Sequence, residues 1–323
     1  MSASYDILCI GNAIVDILAS VSHETVTALG AVPGSMTLID AATAHDIEAR
    51  IQVEQVSGGG SGANTAAVAA RMGAKVAYLG KVAADKAGED FARDMSAQGL
   101  YFPSAPLVDS TPTARCIVLV TPDGQRTMFT YLGACTEFTT EDVAAQTVEN
   151  SAITYLEGYL FDKPQAQAAL IRAAELAQKA GKRVALTLSD TFCVERHRDA
   201  FRTLISKHVD VLFANEAELQ ALYQVTDTDA ALVAVGHDVS LAAVTRGAEG
   251  SVVVANGERH DVVTQPVNVV DTTGAGDAFA AGFLAGLAKG HDLTVCAQLG
   301  NKAAGAIITR LGARPAEDFT LKA

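Results

Sequence analysis

A glycine-rich turn followed by an aspartate, near residue 275, has the residue types needed for phosphate chemistry. Residues 269–283 read VVDTTGAGDAFAAGF. Small residues and two glycines permit a tight turn, and the apolar pattern behind them predicts a helix from Gly276. The amides of Gly274, Ala275 and Gly276 would then point to one place at a helix N-terminus, which favours an anion. Asp277 lies beside that place and could accept a proton as a general base. A helix with an ordinary acidic first turn is the structural alternative.

A second glycine cluster reads SGGGSGANTAA at residues 57–67. It fits the dinucleotide-binding pattern GxGxxA at Gly58, Gly60 and Ala63, so a nicotinamide cofactor must be weighed. The run that precedes the cluster carries Glu54 and is not a convincing central strand. A lone match of this kind is weak evidence for a dinucleotide site.

Two polar residues follow the first predicted strand, which spans residues 5–10. Ligands of α/β proteins bind beyond the carboxyl ends of strands, where Asn12 and Asp16 would lie. A carboxylate such as Asp16 can bind two vicinal hydroxyl groups in a bidentate manner. An aspartate that merely stabilises a turn is the alternative.

Asn215 and Glu218 begin a predicted helix directly after a short apolar run. Asparagine is a good N-cap, and a glutamate three residues later completes a capping box. The residues from Thr245 to Gly250 join two predicted strands, for which a hairpin-like turn is the structural interpretation.

Short apolar runs alternate with segments of helical period along most of the chain. The predicted strands are residues 5–10, 75–80, 153–156, 183–188, 211–214, 242–245 and 251–255. The predicted helices are residues 63–72, 88–98, 164–180, 198–208, 216–223, 276–289 and 293–308. Continuous apolar strands are typical of a parallel sheet that is covered on both faces. We therefore predict a doubly wound α/β fold with a mostly parallel sheet flanked by helices.

Two segments do not follow this alternation, namely residues 14–40 and 113–132. The second contains two β-rich runs around Pro122-Asp123-Gly124, which predicts a hairpin. We expect both insertions to form a small β-rich lid on a single domain spanning residues 1–323. An antiparallel extension of the main sheet is the alternative. Arg115 and Arg126 flank the hairpin and could reach a phosphate when the lid closes, or be solvated lid residues.

The composition excludes several classes of function. The 323 residues carry a formal net charge of -13, so we expect no nucleic-acid binding. The five cysteines have no CxxC spacing, which is typical of reduced, structural thiols. The first twenty residues lack a basic segment, and no apolar stretch is long enough to span a bilayer. We expect a cytoplasmic protein without signal peptide or membrane contact.

The chain resembles the ribokinase-like (PfkB) family of carbohydrate and nucleoside kinases from Ile7 to about Arg314. Residues 271–283 resemble the second signature of that family, and residues 59–66 resemble its first signature, Gly-Gly-Ser-x-x-Asn-x-Ala. Ser61 stands where ribokinases usually have lysine, so the chain looks closer to the adenosine kinase branch.

The resemblance implies an ATP-dependent kinase that phosphorylates the 5′-hydroxyl of a nucleoside, with adenosine as the first candidate. It assigns Asp277 as the general base, with Gly274, Ala275 and Gly276 as the anion hole. The substrate residues that it implies are Asn12, Asp16, Gly59, Gly60 and Asn64. For ATP it implies Asn215, Glu218, Thr245, Gly247, Gly250 and Asn301, with Mg²⁺ held through water near Glu218. It also implies a monovalent cation, K⁺, near Asp271 and Thr273.

Two alternatives to a nucleoside kinase stay open. One is a kinase for a sugar or a sugar acid, such as ribose, fructose or 2-keto-3-deoxygluconate, on the same scaffold. The other is a nucleoside or sugar sensor without activity, against which the intact Asp277 argues. A small-molecule substrate is the expected partner, together with a homodimer formed through the lid.

Overall fold

The strands and helices follow the predicted alternation over most of the chain. A computed structural model describes residues 4–108, 111–316 and 319–323. The strands are β1 (Tyr5–Ile10), β2 (Ile14–Ser20), β3 (Met36–Leu38), β4 (Gln55–Gly59), β5 (Val76–Leu79), β6 (Ala114–Val120), β7 (Arg126–Tyr131), β8 (Ser151–Glu157), β9 (Arg183–Thr187), β10 (Val211–Asn215), β11 (Leu241–Thr245), β12 (Ser251–Ala255) and β13 (Glu258–Val262). The α-helices are α1 (His23–Ala28), α2 (Ala41–Glu48), α3 (Ser61–Arg71), α4 (Lys86–Ala97), α5 (Ala145–Glu149), α6 (Pro164–Lys179), α7 (Thr191–His208), α8 (Glu216–Tyr223), α9 (Thr228–Asp238), α10 (Ala275–Ala288) and α11 (Leu293–Ile307).

The main sheet has eight strands in the order β13-β12-β11-β10-β9-β8-β1-β5. Neighbours from β5 to β11 pair in parallel, whereas β12 and β13 add to the β11 edge in antiparallel fashion. The parallel strands therefore end at one edge of the sheet, where loops can place ligand-binding groups. The predicted α/β fold with a mostly parallel sheet is confirmed.

Helices cover both faces of this sheet, which explains why its strands are apolar without alternation. In β1, Ile7 and Cys9 enter one hydrophobic core, and Leu8 and Ile10 enter the other. The first core is completed by α3, α10 and α11, and the second by α6, α7, α8 and α9.

A second sheet of five strands has the order β3-β7-β6-β2-β4. It contains strands from both segments expected to form a lid, and also β4, which the sequence analysis did not assign to it. The hairpin between β6 and β7 turns where expected, with Gly124 at φ +81° and its amide bonded to the Thr121 carbonyl at 2.8 Å. These strands are not an extension of the main sheet, because they pair among themselves.

Some elements depart from the expectation. α7 begins at Thr191, seven residues before the predicted start, because Asp190 caps it with a 2.6 Å bond from the Cys193 amide. A break in helical geometry at His197 separates this first part from the predicted one. In the part of the chain that the structure describes, no helix has the length and apolar character needed to cross a membrane.

Candidate active site

Asp277 lies where two glycine-rich turns meet, in the first turn of α10. Its Oδ1 accepts a hydrogen bond from Ser61 Oγ at 2.6 Å, and its Oδ2 accepts one from Asn64 Nδ2 at 3.0 Å. Burial raises the pKa of Asp277, and the bonds from Ser61 and Asn64 oppose this rise. Each carboxylate oxygen is thus held by a residue of α3, which fixes the orientation of the group.

The turn before α10, here called the α10 turn (residues 272–276), has the conformation that an anion site needs. Gly274 occupies the N-cap with φ +74°, a region that favours glycine. The first amides of the helix have no acceptor within the helix. The Ala275 amide bonds the Thr272 carbonyl at 3.2 Å, so one of the three predicted anion-binding amides has a partner in the turn itself.

The turn before α3, here called the α3 turn (residues 59–62), requires glycine at two positions. Gly60 has φ +92°, and a Cβ there would overlap the backbone oxygen of Asn12. A Cβ at Gly59 would overlap the carboxylate of Asp16. The glycines therefore allow β4 and α3 to approach the residues that follow β1.

Asp16 points from β2 toward Gly59. Burial raises the pKa of this carboxyl to about 6, against the lowering effect of the positive charges on Arg314 and Arg126. Asn64, which like Asp16 is predicted to bind the substrate, is buried. Its Oδ1 has no hydrogen-bond partner among the described residues. An unsatisfied buried acceptor of this kind suits a hydroxyl donor.

Glu157, at the end of β8, is a site residue that the sequence analysis missed. Its Oε1 accepts from Asn12 Nδ2 at 2.8 Å, and its Oε2 accepts from the amides of Gly62 and Asn12 at 2.6 and 3.2 Å. It is 1% exposed, and burial raises its pKa to about 7 although these bonds lower it. A carboxylate that ends an apolar strand was the available signal, but its partners lie 95 and 145 residues away.

Asn215 and Glu218 form a complete capping box at the start of α8. Asn215 Oδ1 accepts from the Glu218 amide at 2.8 Å, and Glu218 Oε2 accepts from the Asn215 amide at 3.0 Å. Burial raises the pKa of Glu218 to about 7, opposed by the bond from Asn215. The predicted capping box is therefore present. Glu218 also lines the same cleft as Asp277.

The segment from Thr245 to Gly250 is a hairpin connection between β11 and β12. Gly247 and Gly250 have φ +54° and +97°, and a Cβ at Gly250 would overlap the Val262 carbonyl. Asn301, on α11, is buried and donates Nδ2 to the Val262 carbonyl at 3.0 Å. The Val262 carbonyl, at the end of β13, is thus bonded by Asn301 and lies so close to Gly250 that only glycine fits there.

Arg126 occupies the place at which the sequence analysis expected a monovalent cation. Its Nη1 lies 2.5 Å from Asp271 Oδ2 and 2.5 Å from Thr273 Oγ1. Asp271 also accepts from the amides of Thr273 and Gly312. Burial alone would raise the pKa of Asp271, but these bonds hold it below its ordinary value. Arg126 is therefore not a solvated residue, whereas Arg115 pairs with Glu48 of α2.

A cleft of about 80 Å³ lies between the start of α10 and the start of α8. Its lining includes Ser61, Thr187, Ser189, Asn215, Glu218, Thr245, Gly276 and Asp277. Within the described ranges no three His, Cys, Asp or Glu side chains are grouped to hold a metal ion. Mg²⁺ does not require such a group, because it is held largely by water and substrate phosphates.

Comparisons with known proteins show the family to which the chain belongs. Residues 24–319 match the model of the pfkB family carbohydrate kinases. The solved structure of adenosine kinase from Sinorhizobium meliloti is 47% identical, covers 98% of each chain and superposes with a TM-score of 0.91. Adenosine kinase of Saccharomyces cerevisiae is 28% identical over 95% of each chain. An ATP-dependent ribose-1-phosphate kinase of Halopiger xanaduensis is 30% identical over 90% of this chain and 94% of its own length. The chain therefore belongs to the pfkB family of carbohydrate kinases and is a kinase for a nucleoside or a sugar.

Proposed function

We propose that this kinase transfers the γ-phosphoryl group of ATP to the 5′-hydroxyl of a nucleoside, with adenosine as the first substrate to test. The observation that carries the proposal is the carboxylate of Asp277, held by Ser61 and Asn64 at the start of α10. Family membership implies the use of ATP, typically with Mg²⁺. The adenosine kinases among the similar proteins support the choice of nucleoside.

The substrate would bind between β2 and the α3 turn. Asp16 and Asn64, with the backbone of Gly59 and Gly60, would hold the ribose hydroxyls, because carboxylate and amide groups match vicinal hydroxyls. Asn12 would contribute its backbone and its amide, which Glu157 already orients.

Asp277 would remove the proton of the attacking 5′-hydroxyl as that oxygen bonds to the γ-phosphorus in line. The bond from the γ-phosphorus to the β–γ bridging oxygen breaks, and ADP leaves with the bonding electrons. The amides of Gly274 and Gly276 at the start of α10 would stabilise charge on the transferred group. The Ala275 amide would contribute by sharing its hydrogen with the Thr272 carbonyl, to which it is bonded. The raised pKa of Asp277 brings this carboxylate closer to the basicity that a general base requires.

The nucleotide would lie across the carboxyl ends of β10 and β11. Asn215 and Glu218 would order water around Mg²⁺, which neutralises phosphate charge when bound. Thr245, Gly247 and Gly250 would follow the nucleotide, and Asn301 would lie near the adenine. Each of these assignments follows the family resemblance. Those of Asn215, Glu218 and Thr245 are also supported by the cleft that these residues share with Asp277.

The second sheet would act as a lid that covers the substrate and excludes water. The bond from Arg126 to Asp271 supports a closed position of that lid. K⁺ at Asp271 and Thr273 would then bind in place of Arg126 Nη1 or beside it. A homodimer through the lid and a cytoplasmic location complete the proposal.

A sugar or sugar-acid kinase is the second candidate. The ribose-1-phosphate kinase of Halopiger xanaduensis, at 30% identity, favours it.

An ADP-release assay with MgATP separates these candidates. The panel contains adenosine, inosine, guanosine, cytidine, ribose, ribose 1-phosphate, fructose and 2-keto-3-deoxygluconate, with and without K⁺. We expect saturable turnover on a nucleoside and none on free sugars. Turnover on sugars alone would contradict the nucleoside assignment and retain the kinase chemistry.

A further inference from the structure

Three consecutive residues near the C-terminus contact both glycine turns of the site. Gly312 donates its amide at 2.8 Å to Oδ2 of Asp271, the residue that precedes the α10 turn. Ala313 packs against Gly274, where a Cβ would lie 2.5 Å from the Ala313 Cβ. Arg314 extends in the other direction, toward the α3 turn. The segment 312–314 therefore links two turns that are more than 200 residues apart in sequence.

Arg314 spans the α3 turn with two hydrogen bonds. Its Nε donates to the Gly58 carbonyl at 2.7 Å, and its Nη1 donates to the Ala63 carbonyl at 3.0 Å. Gly58 lies in β4 and Ala63 in α3, on either side of the turn. Because the guanidinium donors form a rigid planar fork, the two bonds fix the separation of strand and helix.

The surroundings of Arg314 are shaped for a buried cation. Its side chain is 15% exposed, and its Nη2 lies 3.7 Å from Asp94 Oδ2. A Cβ at Gly58 would overlap the Asp94 carboxylate and lie 2.9 Å from Arg314 Nη2, so glycine at this position leaves space for the pair. Burial raises the pKa of Asp16 and Asp277, and the positive charge of Arg314 opposes both shifts.

We propose that Arg314 is a positioning residue that holds the α3 turn at a fixed distance from the α10 turn. In the proposed function, on which this inference rests, the α3 turn carries the substrate hydroxyl and the α10 turn carries Asp277 and the anion-binding amides. A displacement of about 1 Å between reacting groups can lower a rate roughly 10²-fold. Arg314 acts through the turns and does not itself touch the reacting atoms.

The kinetic test compares Arg314→Gln and Arg314→Lys with the matched control Arg198→Gln. Arg198 also donates Nε to a backbone carbonyl, that of Ala221 at 2.9 Å, but between α7 and α8. We expect Arg314→Gln to lower kcat between tenfold and roughly 10²-fold, with a smaller change in KM. The reason is that the variant loses the alignment of the reacting groups and keeps the groups that bind the substrate. Arg314→Lys keeps the charge without the fork, so it should recover only part of kcat. The control should change kcat by no more than about twofold.

Hydrogen exchange of the unliganded protein provides a readout that does not depend on catalysis. We expect faster exchange at residues 58–64 in both Arg314 variants, and wild-type exchange there in Arg198→Gln. Wild-type exchange in the Arg314 variants, or full turnover by Arg314→Lys, would overturn the proposal. A wild-type protein that phosphorylates no member of the substrate panel would instead contradict the proposed function, and the exchange data would still decide the role of Arg314.

Discussion

Asp277 is oriented before any substrate binds, because each of its carboxylate oxygens has a donor on α3. Bonds from Ser61 and Asn64 to the charged form lower the pKa that burial raises. Ser61, at the position where ribokinases usually have lysine, therefore has a role of its own as a hydrogen-bond donor to Asp277. Its hydroxyl sets both the orientation and the basicity of the proposed base.

Replacement of Ser61 by alanine should change the pH profile of the reaction. Loss of its bond to Asp277 Oδ1 raises the pKa of the carboxyl further, so the acidic limb of kcat/KM should move to higher pH. We expect kcat to fall roughly tenfold, the effect of one hydrogen bond to a charged group. Ser206→Ala, whose hydroxyl bonds the Thr203 carbonyl on α7, is the control. An unshifted acidic limb would show that Ser61 does not tune Asp277.

Glu157 makes stability depend on pH. Its pKa of about 7 in the folded protein lies above the ordinary value of 4.5, so the folded protein keeps this proton up to a higher pH than the unfolded chain does. Stability should therefore fall as pH rises from about 4.5 to about 7, and Asp16 and Glu218 act in the same direction. In Glu157→Gln, the decrease in Tm between pH 5 and 8 should be smaller than in the wild type. An equal decrease, measured by calorimetry, would contradict this assignment.

At the scale of elements, two helix starts define the site, and each depends on a glycine with positive φ. The α3 turn and the α10 turn bring the first turns of α3 and α10 together at Asp277. The start of each helix is therefore set by its glycine, because a residue with a Cβ would be strained at either N-cap.

The glycine of the α3 turn can be tested against a matched control. Gly60 and Gly73 have φ values of +92° and +97°, but a Cβ at Gly73 meets nothing within 4 Å. Gly73→Ala should destabilise by about 1 kcal/mol through backbone strain alone. Gly60→Ala adds the overlap with Asn12 and should destabilise by about 3 kcal/mol or more. Chemical denaturation measures the free energy of unfolding of both variants. Equal losses of stability would show that the overlap with Asn12 does not contribute.

Most elements could be predicted because apolar runs and glycine turns are local signals. The continuous apolar strands β1, β10 and β11 predicted the parallel sheet, and the motif before α10 predicted that Asp277 lies in the first turn of a helix. β13, with the sequence ERHDV, has an exposed polar character and gave no strand signal. The roles of Glu157 and Arg314 could not be assigned from sequence, because their partners are distant in the chain and only the fold brings them together.

At the scale of the whole molecule, Arg126 connects the second sheet to the start of α10 through Asp271 and Thr273. The side chain is 11% exposed and Asp271 6%, so solvent screens this pair less than a surface ion pair. We therefore expect movement of the second sheet to be coupled to the turn that precedes Asp277.

Loss of this connection should loosen both elements together. In Arg126→Gln we expect faster hydrogen exchange in β7 and at residues 272–276, because the bonds to Asp271 and Thr273 disappear. Arg115→Gln, which removes a pair with Glu48 instead, should leave residues 272–276 unchanged. If Arg126→Gln altered only β7, the coupling between the second sheet and the α10 turn would be absent.

Turnover by Asp277→Asn is the most direct test of the central claim, that this carboxylate is the general base of a phosphoryl transfer. It is measured with MgATP and the best substrate of the panel, alongside substrate binding and Tm. We expect kcat to fall by a factor of roughly 10²–10⁴ while binding and Tm remain close to wild type. Full turnover by the folded variant would contradict the assignment of Asp277 and the mechanism built on it.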